Sequence, residues 1–162
     1  LTLEVTLVNV YSFSDYDSNG TLRVSPWMWF WIIFSMRHVI LWLGLSISHT
    51  MDMMDDLTNE THWAFLLCGI PPLILLLDAG FRVPEAGRLP RRIWHSGRWL
   101  LLAAIILHVL IAIGVGMTKP EWQVSLTQML FLGLDVLGLR FVFKSPRVRD
   151  VFADFPANPK AA

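Results

Sequence analysis

Arg37, His38, His108 and Asp135 are the residues of this chain with the clearest chemical potential, because each falls inside an apolar run of membrane-spanning length. A charged side chain at the centre of a spanning helix costs roughly 2.5–3.5 kcal/mol on insertion scales, so it needs a partner. Helices rise about 1.5 Å per residue, which lets depths be compared. Arg37 lies ten residues in from Trp27, His108 nine in from Trp99, and Asp135 thirteen in from Trp122. All three reach about the same level. A converging Arg37–Asp135 pair with His108 beside it is therefore expected. It would be a buried clasp that fixes helix register, or a site for a substrate, proton or ion. His38 and His108 at similar depth raise a second chemistry, axial ligation of a b-type haem. Adjacent residues point about 100° apart on a helix, however, so Arg37 and His38 need not face the same way.

Other candidates are weighed in the same manner. Asp78 ends one apolar run and Arg140 lies near the end of another, so an interfacial salt bridge between them is expected. His49, Met51, Met53 and His62 crowd one acidic loop, where imidazole and thioether would suit copper. No repeated Met pattern accompanies them, and a solvated acidic loop is the simpler expectation. Asp15, Asp17, Asn19 and Gly20 match the opening of an EF-hand loop, but Pro26 stands where the bidentate Glu belongs. A turn that leads into the first helix is expected instead. The single cysteine, Cys68, lies in an apolar run and reads as a small packed hydrophobe. No Gly-rich phosphate loop, CxxC or HExxH occurs.

Four apolar blocks must position these residues. The expected helices cover about 27–49, 62–78, 99–117 and 122–143, which makes an all-α four-helix transmembrane bundle over residues 26–143. Pro26 suits a first helical turn. Pro71-Pro72 should kink the second helix. Trp27, Trp29 and Trp31 should mark one membrane interface. Residues 1–25 read as a short segment with an Asn19-Gly20 turn, and 144–162 as a tail in part disordered. The opening LTLEVTLVNV lacks the basic-then-apolar order of a signal peptide.

Charge sets the expected orientation. Ten Lys and Arg fall in the N-terminal segment, the second loop and the tail, and only Lys119 falls on the other side. Cytoplasmic loops hold the excess, so both termini should be cytoplasmic. The five arginines of the second loop (82, 88, 91, 92, 98) read as that signal. Net charge is zero, which gives no bulk attraction to nucleic acid. The chain is 54% hydrophobic and 16% charged, which leaves little surface for chemistry outside the bilayer. The expected role is non-enzymatic: an accessory or assembly subunit in the lipid bilayer, packed against another membrane protein or its own copies. The alternatives are a small transporter or channel using Arg37, Asp135 and His108, and a redox subunit binding haem or quinone. No resident cofactor is expected under the first role.

Asp15, Tyr16, Asp17, Gly20, Leu22 and Pro26, followed by an aromatic span with Arg37 inside it, carry a resemblance. This stretch resembles the YfeZ-like inner-membrane proteins of Gram-negative bacteria. Ser25-Pro26 stands here where a Pro-Pro pair is expected. The resemblance implies a bacterial inner-membrane location, several spans and no known activity. It carries over no catalytic residue.

Overall fold

A computed structural model describes residues 11–47, 60–118 and 126–156. Its helices are α1 (Pro26–Ser35), α2 (Arg37–Ile47), α3 (Glu60–Leu66), α4 (Ile70–Gly80), α5 (Arg88–His95), α6 (Gly97–Thr118), α7 (Leu126–Lys144) and α8 (Pro146–Ala153). Among the described residues there is no strand, only one isolated bridge between Tyr16 and Leu22. Among the described residues, two stretches, Trp63–Gly80 and Gly97–Met117, are long and apolar enough to cross a membrane. A third is added if α1 and α2 count as one bent span. The most apolar of these, α6, is the hub, packing against α1, α3, α4, α5, α7 and α8.

The sequence places a kink at Pro71-Pro72. The structure bends more sharply elsewhere. The axes of α1 and α2 differ by 66° across Met36, where φ is −89° and ψ is 2°. No proline or glycine lies there. Instead the Arg37 guanidinium donates to the carbonyl of Phe34 at 3.2 Å, and a side chain inserted into the helical ladder is a recognised cause of kinks. At Pro71 the missing N–H is absorbed by a 3-10 turn, Leu67–Gly69, in which the Ile70 N–H bonds the Leu67 carbonyl. The tighter i→i+3 bond takes the acceptor that Pro71 cannot reach. Gly69 lets this turn lie against α2, because a Cβ there would collide with Val39.

Among the described residues, a buried apolar core lies at one end of the helices. It joins Leu22, Met28, Ile32, Leu75, Trp94, Leu101, Val142, Val148, Val151 and Phe152. Trp94 and Val151 are fully buried. This core is roofed by residues 11–25, by α5 and by α8, which together form a cap. Ser145 caps α8 by accepting from the Val148 N–H, and Pro146 follows in the first turn. Ser25 and Pro26 start α1 the same way. The tail, expected to be disordered in part, is a packed helix from Pro146 to Ala153, and residues 157–162 lie outside the described residues. Gly97 closes the joint, since a Cβ there would strike the Phe152 ring.

The arginines expected as a topology signal also staple the cap. Arg82 donates to the carbonyls of Leu22 (2.7 Å) and Asp154 (3.1 Å), and its guanidinium lies over Trp94. Burial pulls the Arg82 pKa down, against the pull of Asp154 and Asp17. Arg91 donates to the Pro84 carbonyl and Arg98 to that of Phe143. The Trp94 indole donates to Val151, and Leu22 N–H donates to the Asp154 carboxylate. The three tryptophans expected at one interface diverge. Trp27 is exposed, Trp29 packs on the core, and Trp31 stacks on Phe141 beside Gly138.

The turn at Asn19-Gly20 closes with Gly20 at φ 72°, which favours glycine. Both Asp17 carboxylate oxygens are spent inside it. One accepts from the Asn19 and Thr21 N–H groups, the other from the Thr21 hydroxyl at 2.7 Å. Asp15 is turned to Arg147 at 2.7 Å. These carboxylates serve donors of the fold and do not converge as a calcium loop requires.

A pH dependence follows from these contacts. The Arg147 hydrogen bond and the Ser12 N–H hold Asp15 below the usual carboxylate range. Burial pushes Asp17 up, but the bonds from Thr21 and Asn19 and the charge of Arg82 outweigh it, so its pKa also falls. A depressed folded-state pKa gives stability that is present above the unfolded value and lost as pH falls through the folded one. The cap should hold unchanged from neutral pH to about pH 5 and loosen below about pH 4, the ordinary Asp range. Hydrogen exchange of the α8 amides should report it. Protection that is flat down to about pH 2 would contradict the assignment.

Candidate functional site

Arg37, His108 and Asp135 meet between α2, α6 and α7. Arg37 stands at the first position of α2, just past the bend, which aims its side chain back across the bundle. Its guanidinium donates to Asp135 through both terminal nitrogens, at 3.2 Å to Oδ1 and 2.9 Å to Oδ2. This two-point geometry matches the planar fork of arginine to a carboxylate. His108 Nδ1 lies 2.5 Å from Asp135 Oδ2 and 2.9 Å from Arg37 Nη2. One ring nitrogen cannot donate and accept at once. The shorter contact fits an Nδ1–H donating to Asp135, with Arg37 Nη2 directed to the same carboxylate.

All three residues are buried, Asp135 the most deeply at 3% exposure. The guanidinium also rests over the rings of Phe34 (4.5 Å) and Phe131 (5.0 Å). Ser35, Cys68, Ala104 and Ile105 complete the walls, and the gap they leave holds no water-sized space. No sequence motif marks the Phe34 and Phe131 faces, but both lie three or four residues from a midplane charge, which is the helical spacing for contact.

His38 stacks on Phe65 at 5.1 Å, and its ring centroid is 5.2 Å from that of His108, tilted by 45°. Phe65 packs edge-on against His108 as well. The two imidazoles thus lie against one another. Their placement suits aromatic packing behind the clasp.

The DUF2919 family model, described as a protein of unknown function, matches residues 11–154. The chain belongs to that family. A comparison with curated proteins gives no match, and none is found among solved structures. The matched residues of this DUF2919 protein span the cap and all three clasp residues together.

The remaining sequence candidates are placed differently. Asp78 and Arg140 are not joined. Arg140 is exposed, whereas Asp78 is buried at 4% exposure and its Oδ2 has no hydrogen-bond partner among the described residues. Asp78 instead faces α5, a helix that the span-by-span reading folds into a loop. His49, Met51 and Met53 lie outside the described residues, as does the side chain of His62. Among the described residues no group of three His, Cys, Asp or Glu could hold a metal ion.

Proposed function

We propose that this DUF2919 protein is a four-span bacterial inner-membrane protein with both termini cytoplasmic, which works without catalysis as an accessory or assembly subunit packed against a larger membrane complex. The YfeZ-like resemblance and the arginine-rich cap support the placement and the orientation. The observation that carries the role is the closure of the polar centre. The donors of Arg37 and His108 are directed at Asp135 in a gap with no water-sized space, the arrangement of a register clasp rather than a wet path. A transporter or channel would need that centre hydrated and open in turn to each side.

One observation favours a second reading, the quinone-binding redox subunit. A lateral apolar groove of about 270 Å³ between α6 and α7, lined by residues such as Leu102, Ile106, Leu132 and Val136, reaches Asp135. Native mass spectrometry of protein extracted gently from its own membrane separates the two. A second polypeptide bound in fixed ratio is the expected result. Masses that are only multiples of 18.5 kDa would contradict it, and a bound quinone in their place would favour the redox subunit.

A further inference from the structure

We infer that the groove between α4 and α5 is a binding site for an amphiphile bearing a primary ammonium group, with Asp78 as its anchor. The groove measures about 280 Å³ and is walled by Ile74, Leu77, Phe81, Leu89, Pro90 and Ile93, with Asp78 at its edge. Its walls are otherwise entirely hydrocarbon and aromatic. Phe81, Leu77 and Leu89 are 62%, 59% and 69% exposed, so the groove is open to whatever surrounds the protein.

Asp78 is the anomaly that gives the groove a chemistry. The other deeply buried acid, Asp135, spends its oxygens on guanidinium and imidazole donors, and the half-buried Asp17 spends its own on N–H and hydroxyl donors. Asp78 is as buried as Asp135, and its Oδ2 has no donor among the described residues. Two arginines from this end of the chain are engaged elsewhere: Arg82 with Leu22 and Asp154, Arg91 with Pro84 and Ala86. A buried carboxyl group without a donor is costly, so a ligand that brings one is favoured. Charge complementarity selects a cation, and the groove selects an apolar body joined to it. A primary ammonium supplies N–H donors that a quaternary one lacks. The groove lies where the end of a spanning helix meets α5, whose arginines alternate with Leu89, Pro90, Ile93 and Trp94 as in a helix lying along an interface. An aminophospholipid from the bilayer has all of these features. This inference rests on the membrane placement alone and stands apart from the accessory role.

Native mass spectrometry of the full chain in detergent, titrated with phosphatidylethanolamine, phosphatidylcholine and phosphatidylglycerol, tests it. The ethanolamine lipid should be retained about tenfold over the other two, as one charge-assisted hydrogen bond would give. Asp78→Asn should erase that preference. Leu89→Trp, which fills the groove and leaves Asp78 in place, should lower its retention too, and covers the case in which the Asn variant does not fold. Soluble ethanolamine should not compete, because it lacks the apolar body. Equal retention of all three lipids, an unchanged preference in either variant, or full competition by ethanolamine would overturn the assignment. So would a co-purifying polypeptide that is lost with Asp78→Asn, which would put a partner helix in the groove.

Discussion

Asp135→Asn should cost this protein about 3–5 kcal/mol of stability, because it leaves the Arg37 guanidinium buried with its charge uncompensated. The carboxylate is the common acceptor of the centre. Arg37 reaches it with two nitrogens and His108 with one. An amide in its place offers one oxygen and no charge. The Phe34 and Phe131 rings soften the loss through their quadrupoles, by about 1–2 kcal/mol in a desolvated setting, which is too little to replace an ion pair. The helix bend should suffer as well, since the same guanidinium donates to the Phe34 carbonyl. Thermal unfolding in detergent micelles, with folded yield as a second readout, checks this. A melting temperature unchanged from the native protein would show that Arg37 does not depend on Asp135.

Trp94→Ala should cost a similar amount, about 3–5 kcal/mol, for a different reason. Trp94 is fully buried at the joint of α5, α8 and the N-terminal segment. Its ring packs on Phe152 at 5.2 Å, lies under Arg82, and its indole donates to the Val151 carbonyl. Alanine leaves a cavity, an orphaned carbonyl and a buried arginine without its aromatic face. The loss should be local to the cap. Limited proteolysis should cut within 146–156 in the variant while the spans stay protected. Protection of that segment equal to the native protein would contradict the cap as described.

The clasp was legible in the sequence because hydrocarbon leaves so few solutions. Three titratable groups at one depth, on runs that are otherwise mostly apolar, have to find each other or lie unpaired. The bend at Met36 was not legible, since it follows from where the Arg37 guanidinium goes and not from a helix-breaking residue. The pairing of Asp78 with Arg140 failed because depth along a helix says nothing of which way a side chain faces. Arg140 looks outward, while Asp78 lies in the groove beside α5. The tail is the most instructive case. Its composition is polar and proline-containing, which suggests disorder. Yet Val148, Val151, Phe152 and Phe155 follow the i, i+3, i+4, i+7 spacing of a buried helix face, behind a Ser-Pro start identical to that of α1. That signal was present in eight residues, and composition taken over the whole tail concealed it.

If the polar centre is a clasp, its charges matter only to each other. The most direct measurement is the melting temperature of the double variant Arg37→Met with Asp135→Leu, set beside the two single variants. Replacing a buried ion pair by apolar residues of similar size is often neutral or stabilising, whereas removing one partner is strongly destabilising. The double variant should therefore regain at least half of the loss seen in Asp135→Leu alone, with the His108 ring still packed against Phe65 and His38. Losses that simply add, leaving the double variant less stable than either single one, would contradict a mutual clasp and would return Arg37 and Asp135 to the status of separate sites.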